Sequence, residues 1–203
     1  MSNERFRALW DGHAASYDRQ TLWLERRLLG SSRPWVCSRA SGRVLELGIG
    51  TGLNLPYYSA DVALTGLDWS PRMLDQARDA AARLRRPVEL VPGDAVALPF
   101  ADGTFDTVLS TYLLCSVADV RVVLAEARRV LVPGGRLLLA DHVAPASRVL
   151  RLGARLVERV TVPSHNEYLT RRPLEGLEAS GFRIVETERA HWGVIERVHA
   201  AAV

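Results

Sequence analysis

Apolar positions along the chain switch between two periods, and the switches mark the elements. Residues 1–41 read as a helical preamble: Phe6, Leu9, Trp10 and His13 fall on one face, and Leu22 to Leu29 form a second apolar stretch with Arg26 and Arg27 outward. From Arg43 the pattern becomes short apolar runs separated by helical segments. Strands are predicted at Arg43–Leu47, Val62–Leu67, Val88–Val91, Thr104–Ser110 and Arg136–Ala140. A helix is predicted over Ser70–Arg85, with Ser70 as its N-cap and Pro71 at its first position. A second runs over Val120–Leu131 and stops at Pro133-Gly134-Gly135. After residue 143 the strand–helix alternation lapses; 174–180 reads as helical, and Phe182–Glu188 and Trp192–Val198 read as an antiparallel pair.

Uninterrupted apolar strands interleaved with helices imply an α/β fold built on a mainly parallel sheet covered on both faces. The expected layout is a single domain: a helical cap over 1–41, a core over 42–142, an insertion or lid over 143–172, and a C-terminal helix and hairpin over 173–203.

All 26 basic residues are arginine, so mechanisms that need a lysine Schiff base, a P-loop lysine or a Tyr/Lys pair are excluded. A formal charge of +3, spread along the chain, argues against bulk nucleic-acid binding. The polar opening MSNERFRALWDGH is unlike a secretory leader, and no apolar run is long enough to span a bilayer. With only Cys37 and Cys115, the expectation is a reduced, cytoplasmic, soluble protein with free thiols.

The chemistry concentrates after the first strand. Gly48, Gly50 and Gly52 are spaced GxGxG, not the GxGxxG that seats a pyrophosphate on a helix N-terminus. Glu46 lies two residues before the first glycine, where a carboxylate suits a cationic amine and opposes a diphosphate. Asp68 closes the second strand, placed to accept hydrogen bonds from ribose hydroxyls, and Asp94 follows the third, placed for an adenine amino group. Acidic groups around one nucleoside pocket fit a cationic cofactor without phosphates, which is the chemistry of S-adenosylmethionine.

These stretches make the chain resemble the class I S-adenosylmethionine-dependent methyltransferases: VLELGIGTG is similar to their motif I, LDWSPRMLDQAR to the post-I motif, VPGDAVALPFADGTFDTVL to the motif II region and RVLVPGGRLLLADH to motif III. The resemblance covers about residues 40–142. It implies a Rossmann-like seven-stranded sheet with a reversed C-terminal hairpin and S-adenosyl-L-methionine as cofactor. It assigns Glu46, Gly48, Gly50 and Gly52 to the methionine moiety, Asp68 to the ribose, Asp94 and Ala95 to the adenine, and Trp69 and Met73 to the flanks of the adenine ring. Thr111 joins this cofactor-binding set; Thr51 and Asn54 are either partners of the cofactor carboxylate or ordinary helix-start caps. GTGLNLPYY is similar to bacterial phosphatidylethanolamine N-methyltransferases, TYLLCSVAD and DHV to alkyl-thiol methyltransferases, and LPFADGTFD to quinone C-methyltransferases. The expected acceptor is a small molecule or lipid-like compound with an N, S, O or C nucleophile.

Candidate catalytic residues are His142, which closes the fifth strand, and Tyr17, similar to a cap tyrosine that closes over the cofactor. His13, Cys115 and His165 are candidates to line the acceptor site, against plain packing or solvated roles. No metal is expected, since Asp141 and His142 alone are too few ligands. Arg148, Arg151, Arg155 and Arg159 alternate with Val149, Leu152, Leu156 and Val160. That basic amphipathic stretch, 147–160, either contacts an anionic membrane or packs its apolar side on the sheet with its arginines solvated. The competing functions are a non-catalytic S-adenosylmethionine-binding protein and an NAD-dependent oxidoreductase.

Overall fold

The computed structural model describes residues 11–12, 32–145, 147–165, 168–190 and 193–203. Helix α1 spans Ser32–Cys37 and leads into β1, Arg43–Leu47. There follow β2 (Ala63–Asp68), α2 (Pro71–Leu84), β3 (Glu89–Pro92), β4 (Phe105–Thr111), α3 (Val120–Val130), β5 (Leu131–His142), α4 (Arg148–His165), β6 (Phe182–Ala190) and β7 (Ile195–Ala202). The seven strands form one sheet in the order β3-β2-β1-β4-β5-β7-β6. The first five run parallel, while β7 pairs antiparallel with both β5 and β6. This is the expected seven-stranded, Rossmann-like sheet with its reversed C-terminal hairpin.

Alternation along the strands divides the core in two. Leu45 and Leu47 of β1 face Leu124 and Ala127 of α3 on one side of the sheet. Val44 of β1, with Leu64 and Leu138, packs against Val36 of α1 and Leu74 and Ala81 of α2 on the other. Glu46 shares the face of Val44, so a carboxylate is carried into an apolar layer and has to find its partners there.

Helix α2 starts as its sequence dictates: Ser70 is extended, its Oγ accepts from the Met73 N–H at 3.2 Å, and Pro71 needs no hydrogen bond. Asp119 caps α3 in the same way, accepting from the Arg121 N–H at 2.9 Å. Two expectations shift. The 174–180 segment forms two short 3-10 turns, Pro173–Gly176 and Glu178–Ser180, because Gly176 interrupts the run and Gly181, at φ +80°, ends it. The hairpin strands extend further than expected, with Phe182 opposite Ala202 and Ala190 opposite Ile195.

In the parallel part, the register pairs Leu47 with both Leu67 and Ser110, Asp68 with Pro92, and Thr111 with Ala140. The carboxyl ends of β1, β2, β4 and β5 therefore lie along one edge. The chain order moves outward in both directions from β1 and β4, so this edge opens at the switch point where doubly wound sheets take ligands.

Candidate active site

The turn after β1 is held by its neighbour strand. The N–H groups of Gly48 and Ile49 donate to the Leu67 carbonyl at 2.8 and 3.0 Å, and the Gly50 N–H donates to Asp68 Oδ2 at 2.9 Å. Asp68 Oδ1 accepts from the Ser70 N–H at 2.9 Å. One carboxylate thus ties the glycine turn to the start of α2, with the Trp69 N–H as a further backbone partner. Burial raises the Asp68 carboxyl to about 6, against the backbone bonds that lower it. Ser70 Oγ also donates to Asp11, which brings a described residue of the N-terminal segment to the same corner.

Two glycines of this turn need their freedom for different reasons. Gly52, at φ +85°, would place a Cβ 2.7 Å from Leu55 Cδ1 and 3.3 Å from the Ala77 Cα. Gly50, at φ +56°, would meet nothing nearer than the Gly48 carbonyl at 4.0 Å. The first glycine lets loop and helix close together; the second faces open space beside Asp68. Residues that leave such an opening fit a nucleoside cofactor lying against the turn.

Glu46 is buried, and its two oxygens accept from Asn54 Nδ2 at 2.7 Å and the Tyr58 hydroxyl at 2.8 Å. Asn54 Nδ2 also reaches Thr111 Oγ1 at 3.0 Å. From α1, Arg33 NH1 donates to Asn54 Oδ1 at 2.9 Å and to Thr111 Oγ1 at 3.1 Å, and its guanidinium lies 5.2 Å from the Tyr112 ring centre. Desolvation pushes the Glu46 carboxyl up to about 7, opposed by Tyr58, Asn54 and Arg33. Glu46, expected at the methionine moiety, is thus bonded to Asn54 of the loop and to Tyr58. Arg33 and Tyr58 were not singled out from the sequence: a charged side chain in a polar SSRPW stretch reads as surface, and nothing in its spacing signals burial.

The remaining expected residues spread along the same edge. Thr51 and Met73 are buried, and Trp69 is half-buried between β2 and α2. Asp94 follows β3 and accepts from the Val96 N–H at 3.1 Å, with Ala95 buried beside it. Beyond Thr111, Tyr112 takes φ +57°, a conformation uncommon for a bulky residue, and turns the chain back over β5. That turn sets Cys115 beside Asp141 and His142, with ligand atoms within 4.8 Å of one another. Asp141 accepts from the N–H groups of Leu114 at 2.6 Å and His142 at 2.8 Å, and the Cys115 thiol bonds to it as well. The sequence suggested two potential ligands here; the structure brings in Cys115 as a third, within a hydrogen-bonded cluster centred on Asp141. Burial raises Asp141 to about 6 and lowers His142 to about 4, so the imidazole is neutral at neutral pH. His142 stacks at a tilt on Tyr112, ring centres 5.1 Å apart, with its Nδ1 buried although the residue as a whole is half-buried. Cys115 is buried and does not lie open to solvent. His165 ends α4, and His13 and Tyr17 lie outside the described residues.

A switch-point edge with a GxGxG turn, an acid closing β2 and a reversed hairpin defines a nucleoside-dependent transferase of Rossmann-like architecture. Residues 45–139 match the model of a methyltransferase domain. The chain is 39% identical over 150 residues to a phosphatidylethanolamine N-methyltransferase of Cereibacter sphaeroides, covering 66% of this chain and 74% of that protein. It is 32% identical over 215 residues to a demethylmenaquinone methyltransferase of Tropheryma whipplei, covering 93% and 88%. Its fold matches that of a SAM-dependent methyltransferase from Thermotoga maritima, with a TM-score of 0.74 at 23% identity over 97% of this chain and 99% of that one. The chain belongs to the class I S-adenosylmethionine-dependent methyltransferases, and S-adenosylmethionine is its methyl donor.

Proposed function

We propose that the protein methylates a small-molecule or lipid-like acceptor, which meets the methyl group at the end of β4 and β5. The observation that carries this reading is the division of the edge. Gly50 and Asp68 stand at one half of it, backed by the buried Asn54–Thr111 pair, while Tyr112 and His142 stand at the other, backed by the buried Cys115 and Asp141.

When bound, the cofactor supplies an activated sulfonium methyl, so the chain's task is to position the acceptor in line and exclude water. Asp68 offers its remaining acceptor position to a ribose hydroxyl. Arg33 and Glu46 hold Asn54 and Thr111 in place from beneath the turn. His142, neutral above about pH 4, presents an unprotonated imidazole that can accept a hydrogen bond from the acceptor and orient it. In this reading residues 42–142 form the cofactor core, 1–41 its cap, and 143–172 the acceptor-side lid.

An apolar acceptor is supported by the relatives' names, phosphatidylethanolamine and demethylmenaquinone, which differ in reacting atom but are both lipid-soluble. The test is transfer of label from methyl-labelled S-adenosylmethionine to a panel of phosphatidylethanolamine vesicles, reduced quinones and alkyl thiols, with histamine as a water-soluble contrast. Label in one apolar acceptor, lost in Asp68→Ala, is the expected result. Label in histamine alone would overturn the apolar character of the acceptor.

A further inference from the structure

Helix α4 turns its larger described apolar side chains away from the protein. Its half-buried side mixes Ala154 and Val162 with polar anchors: Glu158 accepts from both the N–H and the hydroxyl of Thr170, and Arg151 Nε donates to the Pro145 carbonyl at 3.1 Å. Its apolar side faces out. Leu152, Leu156, Val157 and Val160 are 63%, 54%, 48% and 69% exposed. Among the described residues they are four of the nine exposed large hydrophobic side chains, and the other five are scattered over distant elements. Spacing of four residues stacks Leu152, Leu156 and Val160 into one stripe. Arg155 and Arg159, also exposed, follow each leucine by three positions and flank that stripe. At Leu152, Leu156 and Val160 the expectation that the apolar side packs on the sheet is therefore not met. An exposed apolar stripe of this length marks an interaction surface.

We infer that α4 lies in the plane of an anionic lipid leaflet, with Leu152, Leu156 and Val160 among the acyl chains and Arg155 and Arg159 at lipid phosphates. Charge complementarity selects this occupant. The only carboxylate on α4, Glu158, is turned inward to Thr170, so the outer face carries cations and no acid. A second copy meeting the same face would bring two sets of arginines together, and a neutral protein groove would leave them unmatched.

The contact bears on acceptor delivery and rests on the methyltransferase reading above. Glu158 holds Thr170, the Tyr168 N–H donates to the Cys115 carbonyl at 2.9 Å, and Arg171 donates to the Leu114 and Val117 carbonyls. One continuous run of bonds joins the lipid-facing helix to the turn beside His142. The acceptor enters from the bilayer rather than from water.

Flotation of the full chain with vesicles tests this. It should bind equimolar phosphatidylglycerol–phosphatidylcholine vesicles and bind pure phosphatidylcholine roughly tenfold less. Leu156→Glu with Val160→Glu, and separately Arg155→Glu with Arg159→Glu, should each lower binding by roughly tenfold or more; Val185→Glu, at an exposed site on β6, should not. Equal binding to neutral and anionic vesicles, or none, overturns the inference. So does a wild-type dimer that Leu156→Glu converts to a monomer, which would make the face a subunit interface. Thermal stabilisation by S-adenosylhomocysteine is read on the same samples: if it persists while vesicle binding fails, only the docking is wrong, and if it is absent, the methyltransferase reading is wrong.

Discussion

Asn54 Nδ2 donates to Glu46 Oε1 across 2.7 Å, within a buried network that also holds Tyr58, Thr111 and Arg33. This bond links the acidic residue at the end of β1 to the loop that follows the glycine turn. Its proton balance has a consequence for stability. In the folded chain Glu46 titrates near 7, against an ordinary 4.5. Between those values the unfolded chain has lost this proton and the folded chain keeps it, so Glu46 lowers stability as pH rises from 4.5 to 7, with no further change above. His142 works in the opposite sense from 4 to 6.5, where the unfolded chain binds the proton. Glu46→Gln removes the first effect alone. Relative to wild type, the variant should melt closer to wild type, or above it, at about pH 8 than at about pH 5. An equal gap at both pH values would show that Glu46 titrates normally.

The two glycines of the turn should separate stability from binding. Gly52→Ala forces a Cβ into Leu55 and the α2 backbone at positive φ, and should cost roughly 2–3 kcal/mol, seen as a clear drop in melting temperature. Gly50→Ala has space but an unfavourable φ, so its cost should be about 1 kcal/mol. Its added methyl points into the opening beside Asp68, and it should lose S-adenosylhomocysteine affinity beyond what its stability loss explains. Unchanged affinity in Gly50→Ala would move the cofactor away from this turn.

Both cysteines are buried, and burial raises the Cys37 thiol far above its usual range. Neither should react with a thiol reagent in the native protein at about pH 8, and both should react in denaturant. Rapid native labelling of Cys115 would mean that the turn after β4 opens to solvent.

The sequence made the first five strands, helices α2 and α3 and the glycine turn legible, because each has a local signature: an apolar run, an N-cap with proline at α2, an amphipathic period at α3, a GxGxG spacing. What it concealed was non-local. Pro133-Gly134-Gly135 reads as a helix stop, yet β5 already begins at Leu131 and carries those residues as its irregular start. Arg33 and Tyr58 come to Glu46 from 13 and 12 residues away, and no spacing rule announces a buried polar network of that kind. Cys115 meets Asp141 only because Tyr112 turns the chain back. The amphipathic pattern of 148–160 was plain; which side met the protein was not, since it depends on Glu158 finding Thr170.

The central claim is that the edge anchored by Asp68 binds an S-adenosyl nucleoside, and calorimetric titration with S-adenosylhomocysteine and with NADH tests it most directly. Wild type should bind S-adenosylhomocysteine at one site and leave NADH unbound, and Asp68→Ala should weaken the first by roughly a hundredfold, since it removes a buried acceptor of ribose hydroxyls. Full affinity in a folded Asp68→Ala, or binding of NADH in place of S-adenosylhomocysteine, would contradict the account.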